Sequence, residues 1–141
     1  MKFSISRTDV WAATIDDRPG AMAEKLAVLA AAGANLGFII ARRMPEQRGS
    51  GVLMVTPLKG AKQVKAAEES GFQRTESLHS VRAEGLDKAG LGARLTKAIA
   101  AAGINMRGLS AASIGKRSVT YLALDTAADA TKVARILRKL A

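Results

Sequence analysis

Residues 17–36 read DRPGAMAEKLAVLAAAGANL, and residues 87–106 read DKAGLGARLTKAIAAAGINM. The two stretches align when the first is shifted by 70 positions along the chain. The matching positions are Asp17 with Asp87, Gly20 with Gly90, Gly33 with Gly103, and Asn35 with Asn105. A repeat of this length is one supersecondary unit used twice, so we interpret the chain as a duplication.

The first half predicts the element order β-α-β-β-α-β. Residues 8–15 are rich in β-branched and aromatic side chains, which favour a strand, and Pro19-Gly20 then forces a sharp turn. From Ala21 the apolar residues recur at helical spacing, and Gly33 is suited to the end of that helix. The remaining predicted elements are strands at 36–41, 51–56 and 72–75 and a helix at 61–70.

The second half repeats this order up to its last helix. We predict strands at 78–83, 106–114 and 118–124, a hairpin tip at Gly115-Lys116-Arg117, and a final helix capped by Thr126. This half then lacks a fourth strand, for which Met1–Ser6 is one candidate supplier. No linker separates the halves, and we expect the segment 72–83 to be shared between them. The fold class is therefore α+β, with two ferredoxin-like units at 1–75 and 76–141, antiparallel sheets, and helices on one face.

Composition limits the possible partners. The 141 residues carry a net charge of +10, which raises nucleic acid as a partner. The charges are spread along both halves and only five residues are aromatic, so a solvated basic surface is favoured and nucleic-acid binding remains a third, less favoured function that rests on charge alone. No apolar run approaches a membrane span, and the absence of cysteine is compatible with the cytoplasm, where we expect the protein.

The turn-and-helix motifs resemble those of ACT domains. Asp17-Arg18-Pro19-Gly20, followed by Gly33-Ala34-Asn35, matches the Asp-x-Pro-Gly and Gly-x-Asn pattern of that family. The second copy has Ala89 where the family favours proline. Over residues 8–141 the chain resembles a tandem pair of ACT domains with no catalytic domain attached.

The resemblance implies a non-catalytic regulatory protein that binds an amino acid or a similar small metabolite. In such domains two sheets join side by side and the ligand lies at the junction, so we expect a homodimer and a possible partner enzyme. Carried onto this sequence, the ligand-binding residues are Asp17, Pro19, Gly20, Ala21, Met22, Asn35 and Leu36 in the first half. In the second half they are Asp87, Gly90, Leu91, Gly92, Asn105 and Met106.

The chemistry of these residues suits such a ligand. A helix that begins after Gly20 directs unpaired N–H groups and its positive dipole end outward, where a carboxylate binds well. Asn35 offers both a donor and an acceptor. The same residues are also simply good turn formers, so the pattern alone leaves a structural role open. Because Pro19 pre-sets its turn, we expect ligand binding to depend more on Asn35 than on Asn105.

Other chemistry finds little support in the sequence. His79 is the single histidine and no cysteine exists, so no catalytic constellation is indicated. Asp16 and Asp17 offer too few oxygen ligands for a hard metal, and we expect no metal, no cofactor and no enzymatic activity. The alternative function is a protein-interaction or dimerisation module that regulates a partner enzyme without a ligand of its own.

Overall fold

A computed structural model describes residues 3–140, apart from the side chains of residues 76–78. The described residues form two compact units. We call residues 9–75 the first unit, and residues 3–8 together with 76–140 the second unit. The boundaries fall inside two long strands, β1 and β4, so each of these strands contributes residues to both units.

The first unit is an antiparallel sheet with two helices. Its elements are β1 (Ser4–Asp16), α1 (Ala21–Ala31), β2 (Phe38–Arg43), β3 (Ser50–Thr56), α2 (Gly60–Glu69) and the start of β4 (Gln73–Leu86). The strand order is β2-β3-β1-β4, and β3 pairs antiparallel with both β1 and β2. This is the ferredoxin-like order that the sequence predicts.

The second unit repeats this arrangement with a strand taken from the beginning of the chain. Its elements are the remainder of β4, then α3 (Leu91–Ala101), β5 (Met106–Ile114), β6 (Arg117–Leu124) and α4 (Ala127–Leu140). The order is β1-β4-β6-β5, and β6 pairs antiparallel with β4 and β5. The hydroxyl of Thr126 accepts a hydrogen bond from the N–H of Asp129 at 3.0 Å, which confirms the predicted cap.

Each unit has its own hydrophobic core. The fully or nearly fully buried residues of the first core are Trp11, Ala13, Leu29, Leu53, Val55, Ala67 and Phe72. In the second unit, Leu95, Ile99, Leu122, Val133 and Leu137 form the centre of the core, and Phe3 and Ile5 pack against it. Burial of each large side chain stabilises its unit by about 1.5–3 kcal/mol.

The packing of Phe3 and Ile5 identifies the missing fourth strand. The residues up to Thr8 group with the second unit, and β1 lies beside β4 in its sheet. The predicted supply of this strand is confirmed for residues 4–6, while Met1 and Lys2 lie outside the described residues.

Two local predictions differ in detail from the structure. The strands predicted at 72–75 and 78–83 are joined into one continuous strand, β4, which agrees with the expectation that the segment 72–83 is shared between the halves. Arg117 was predicted in the hairpin tip, but it begins β6 opposite Ile114, which leaves a tip of two residues, Gly115 and Lys116.

Candidate functional site

The first turn joins β1 to α1 through residues 17–20. Gly20 immediately precedes the helix with φ at 89°, a left-handed conformation that side chains other than glycine rarely adopt. The N–H of Asp17 donates to the carbonyl of Gly49 at 2.9 Å, which ties the turn to the β2–β3 connection. The turn is therefore fixed by its own backbone before any side chain contributes.

Ion pairs then hold the side chains of this turn. The Arg18 guanidinium contacts the Glu24 carboxylate at 2.8 Å and lies 3.6 Å from the Asp16 carboxylate. The hydrogen bond and the charge of Glu24 raise the pKa of Arg18, and the same contacts lower the pKa of Glu24. Arg43, at the end of β2, reaches the Asp17 carboxylate with its Nε at 3.0 Å.

An open groove of about 220 Å³ lies beside this turn. We call it the turn groove, and it is lined by Ile15, Asp16, Asp17, Arg18, Met22, Ala41, Arg42, Arg43 and Gly51. Its lining includes three arginines, two aspartates and Met22, which is 40% exposed. Its surface can thus pair with both signs of charge and cover an apolar group.

Glycine at position 51 makes the floor of the turn groove possible. A Cβ atom there would lie 2.8 Å from the backbone carbonyl oxygen of Arg42, closer than such atoms approach. Gly51 is opposite Arg43 in the β2–β3 register and opposite Ile15 in the β1–β3 register. The close approach of these strands brings Arg42 and Arg43 to the turn.

The structure brings together only part of the residue set predicted for the first half. Asp17 and Met22 line the turn groove, and Pro19, Gly20 and Ala21 shape the turn beside it. Asn35 and Leu36 follow the other end of α1, whose 11 residues span about 16 Å. Asn35 is exposed there, and Leu36 packs on the first core.

The sequence interpretation missed the basic residues of the turn groove. Arg42 and Arg43 are absent from the residues predicted for the first site, although they end a strand and precede a hairpin connection. The hairpin of β2 and β3 brings the end of β2 back beside the end of β1, where the turn begins. The position of the two arginines before this hairpin was the sequence signal that could have placed them at the turn. Ile15, Ala41 and Gly51 carried no chemical signal of their own.

The second turn has the same backbone and different side chains. Gly90 precedes α3 with φ at 82°, and the N–H of Asp87 donates to the carbonyl of Lys116 at 2.8 Å. Lys88 and Arg94 stand where the first turn has Arg18 and Glu24, so that ion pair has no counterpart.

The other residues predicted for the second site are dispersed. Leu91 is buried in the second core, against which Met106 packs from the start of β5. Gly92 and Asn105 are exposed. These four residues therefore divide between the core and the surface.

Among the side chains that the structure describes within residues 3–140, no group of three or more histidine, cysteine, aspartate and glutamate residues is arranged to hold a metal ion. No helix in the same range has the length and apolar character needed to cross a membrane.

Comparison with known proteins identifies solved structures that share this fold. A protein of Bacteroides thetaiotaomicron is 14% identical, with 93% of this chain and 88% of that chain covered and a TM-score of 0.78. The ligand-free regulatory subunit of aspartate kinase from Thermus thermophilus is 17% identical, with 99% and 96% covered and a TM-score of 0.67. The corresponding Thermus flavus subunit is 18% identical, with 99% and 96% covered and a TM-score of 0.60.

No protein-family model matches the sequence, and no curated protein matches it either. The similarity to solved structures lies below 20% identity and establishes the fold. The chain has the fold of the aspartate kinase regulatory subunits, which are ACT-domain proteins, and the predicted resemblance to tandem ACT units is confirmed at that level.

Proposed function

We propose that this chain is a non-catalytic regulatory protein that binds a free amino acid in the turn groove. The observation that carries the proposal is the mixture of residues that line the groove, which includes two aspartates, three arginines and apolar residues such as Met22. A free amino acid carries one group complementary to each of these. The fold shared with regulatory subunits of aspartate kinase supports the regulatory role.

The size of the groove limits the ligand. Pockets for drug-sized molecules have volumes of roughly 300–1,000 Å³. The turn groove, at about 220 Å³, falls below that range and suits a metabolite with few non-hydrogen atoms.

Each part of an amino acid has a candidate contact. The α-carboxylate pairs with Arg42, which has no ion-pair partner among the described residues, and with the N–H groups that begin α1. The α-ammonium group pairs with Asp16 or Asp17. The ligand side chain packs on Met22, whose flexible thioether adapts to different shapes.

In this proposal, the Asn35 that contacts the ligand belongs to a second copy of the chain. Within its own unit, Asn35 follows the end of α1 that is farther from the turn groove, and the helix itself is about 16 Å long. A homodimer that joins sheets side by side, as the resemblance implies, brings a second Asn35 within reach of the ligand.

Thermal unfolding with a panel of the twenty amino acids tests the proposal. A ligand present at 100 times its dissociation constant should stabilise the protein by about 2.7 kcal/mol. The best ligand is then titrated against Arg42→Ala, with Arg48→Ala as the matched control, because Arg48 is an exposed arginine outside the turn groove. Absence of any stabilisation at millimolar concentrations, or equal losses in the two variants, contradicts the proposal.

A ligand-free interaction module is the second candidate, and one surface favours it. Ile114 is 81% exposed and Leu109 is 43% exposed on β5, the last strand in the order of the second unit. Edge strands with exposed apolar residues are templates for pairing with another chain. Light scattering of Ile114→Lys distinguishes the interaction module from the amino-acid-binding protein. If the chain is an interaction module, this variant should lose its assembly with a partner chain, and amino acids should have no effect on that assembly.

A further inference from the structure

The two units differ strongly in net charge. Residues 1–8 and 76–141 contain 13 basic and 5 acidic residues, a net charge of +8, whereas residues 9–75 contain 9 and 7, a net charge of +2. The halves differ far less when the sequence is simply cut at residue 75. The assignment of the first strand residues to the second unit therefore concentrates the positive charge.

Much of this charge lies on one face of α4. The helix buries Ala130, Val133, Ala134 and Leu137 against the second core. The exposed basic residues are on the opposite side of the helix. With Arg7 of β1 they form what we call the cationic face, namely Arg7, Lys132, Arg135, Arg138 and Lys139.

A hydrogen bond places Arg7 on this face. Its Nη1 donates to the hydroxyl of Thr131 at 3.2 Å. Thr131, Arg135 and Arg138 follow one another at i, i+4 and i+7, so they form a stripe along one side of the helix. Three guanidinium groups are thereby gathered on a single surface.

These cations have no ion-pair partner among the side chains that the structure describes, a set that excludes residues 76–78. Asp129 lies in the first turn of the same helix without pairing with any of the five, while Glu84 and Asp125 are engaged by other arginines. Like charges at helical spacings of three or four destabilise a helix. The helix dipole favours cations in the last turn, which accounts for Arg138 and Lys139 but not for Arg7, Lys132 and Arg135.

The surroundings of the cationic face narrow the class of partner. The most exposed large apolar side chains lie elsewhere, and none of them is on α4. Protein interfaces have an apolar centre, and amphipathic helices enter membranes through an apolar face. No aromatic side chain of the described residues is exposed, so stacking on single-stranded bases has no platform.

We propose that the cationic face binds the phosphate backbone of double-stranded nucleic acid. Arginine forks match phosphate oxygens with paired hydrogen bonds, and such contacts carry no sequence information. Five phosphate contacts give a slope of about −4.5 for log affinity against log salt concentration. Binding should therefore weaken about 500-fold between 50 and 200 mM salt.

The test uses the full chain and a fluorescently labelled 20-base-pair duplex of mixed sequence. Anisotropy titrations between 50 and 200 mM NaCl give the slope for the unmodified protein and for R7Q/R135Q/R138Q. Glutamine keeps good helix propensity, so α4 should remain folded, which circular dichroism checks. The matched control is R48Q/K59Q/K62Q, which removes three exposed cations from the first unit.

We expect the cationic-face variant to lower the magnitude of the slope by about 2.7, with a much smaller change for the control. Equal losses in both variants would overturn the proposal, because net charge alone would then explain binding. Absence of duplex binding at 50 mM NaCl would overturn it too. Tighter binding to phosphatidylserine vesicles or to labelled polyglutamate than to the duplex would assign the face to a membrane or an acidic protein instead.

Discussion

The turns at residues 17–20 and 87–90 share a backbone and differ in charge. Both place a left-handed glycine before a helix, and in both the aspartate N–H bonds to a hairpin carbonyl, at 2.9 Å and 2.8 Å. The first turn adds ion pairs through Arg18 and Arg43, whereas the second has Lys88 and Ser113 at the matching positions. Duplication thus preserved the scaffold while the chemistry on it changed.

The largest expected effect tests the shared scaffold. Replacing Gly20 or Gly90 by valine puts a β-branched residue at positive φ, and we expect each variant to lose about 1–3 kcal/mol of unfolding free energy. Urea denaturation measures both losses.

Gly92 provides the control for these substitutions. It lies in the first turn of α3, and a Cβ atom there meets open space, so Gly92→Ala should stabilise the protein by about 0.5–1 kcal/mol. A cost for Gly90→Val far below that for Gly20→Val would show that the scaffolds are not equivalent.

The next effect concerns ligand affinity. Asp17→Asn removes a charge from the turn groove, and a hydrogen bond to a charged group contributes about 1.5–3 kcal/mol. We expect the best amino-acid ligand to bind roughly 10- to 150-fold more weakly in calorimetric titration. Asp87→Asn is the matched change and should leave affinity unaltered. An equal loss from Asp87→Asn would place ligands at both turns.

A smaller effect is expected at the two asparagines. Asn35→Ala removes a neutral hydrogen-bonding group, which contributes about 0.5–1.5 kcal/mol, so binding should weaken roughly 2- to 12-fold. Asn105→Ala should have less effect, because its turn lacks the proline that pre-sets the first. The ranking is wrong if Asn105→Ala abolishes binding while Asn35→Ala is silent.

The smallest expected effect is the pH dependence of the Arg18–Glu24 ion pair, which only the first turn has. The contact with Arg18 lowers the pKa of Glu24, so this carboxylate stabilises the fold above its ordinary pKa, and the contribution disappears as pH falls through the lowered value. Glu24→Gln should therefore lower the melting temperature slightly at pH 7, and the difference should shrink as the pH falls through the lowered pKa of Glu24. A difference between the proteins that persists in acid would contradict this origin.

Local patterns in the sequence predicted most elements of the fold. The spacing of Met22, Leu26 and Leu29 predicted α1, and the capping residue Thr126 was confirmed by its hydrogen bond. The segment 72–83 was expected to be shared between the halves, but its two strands were predicted separately, because sheet pairing extends a strand through residues without strong preferences.

The turn groove was only partly predictable, because its two sides are distant in sequence. Asp17 and Met22 belong to a recognisable turn, whereas Arg42, Arg43 and Gly51 reach it through strand register. Register depends on which faces of paired strands are buried, and a local motif does not contain that information.

The shared strand β1 has a consequence for how the chain acquires its structure during synthesis. The first unit is contiguous and can condense as soon as residue 75 has left the ribosome. The second unit must close a loop of roughly 70 residues before Phe3 and Ile5 meet their core, and such distant contacts slow folding. A gene cut between the repeats would therefore produce a second unit that lacks the strand supplied by β1. A bulky fusion placed just before β1 would hinder the folding of the second unit, which is synthesised last, because that unit needs the first residues of β1.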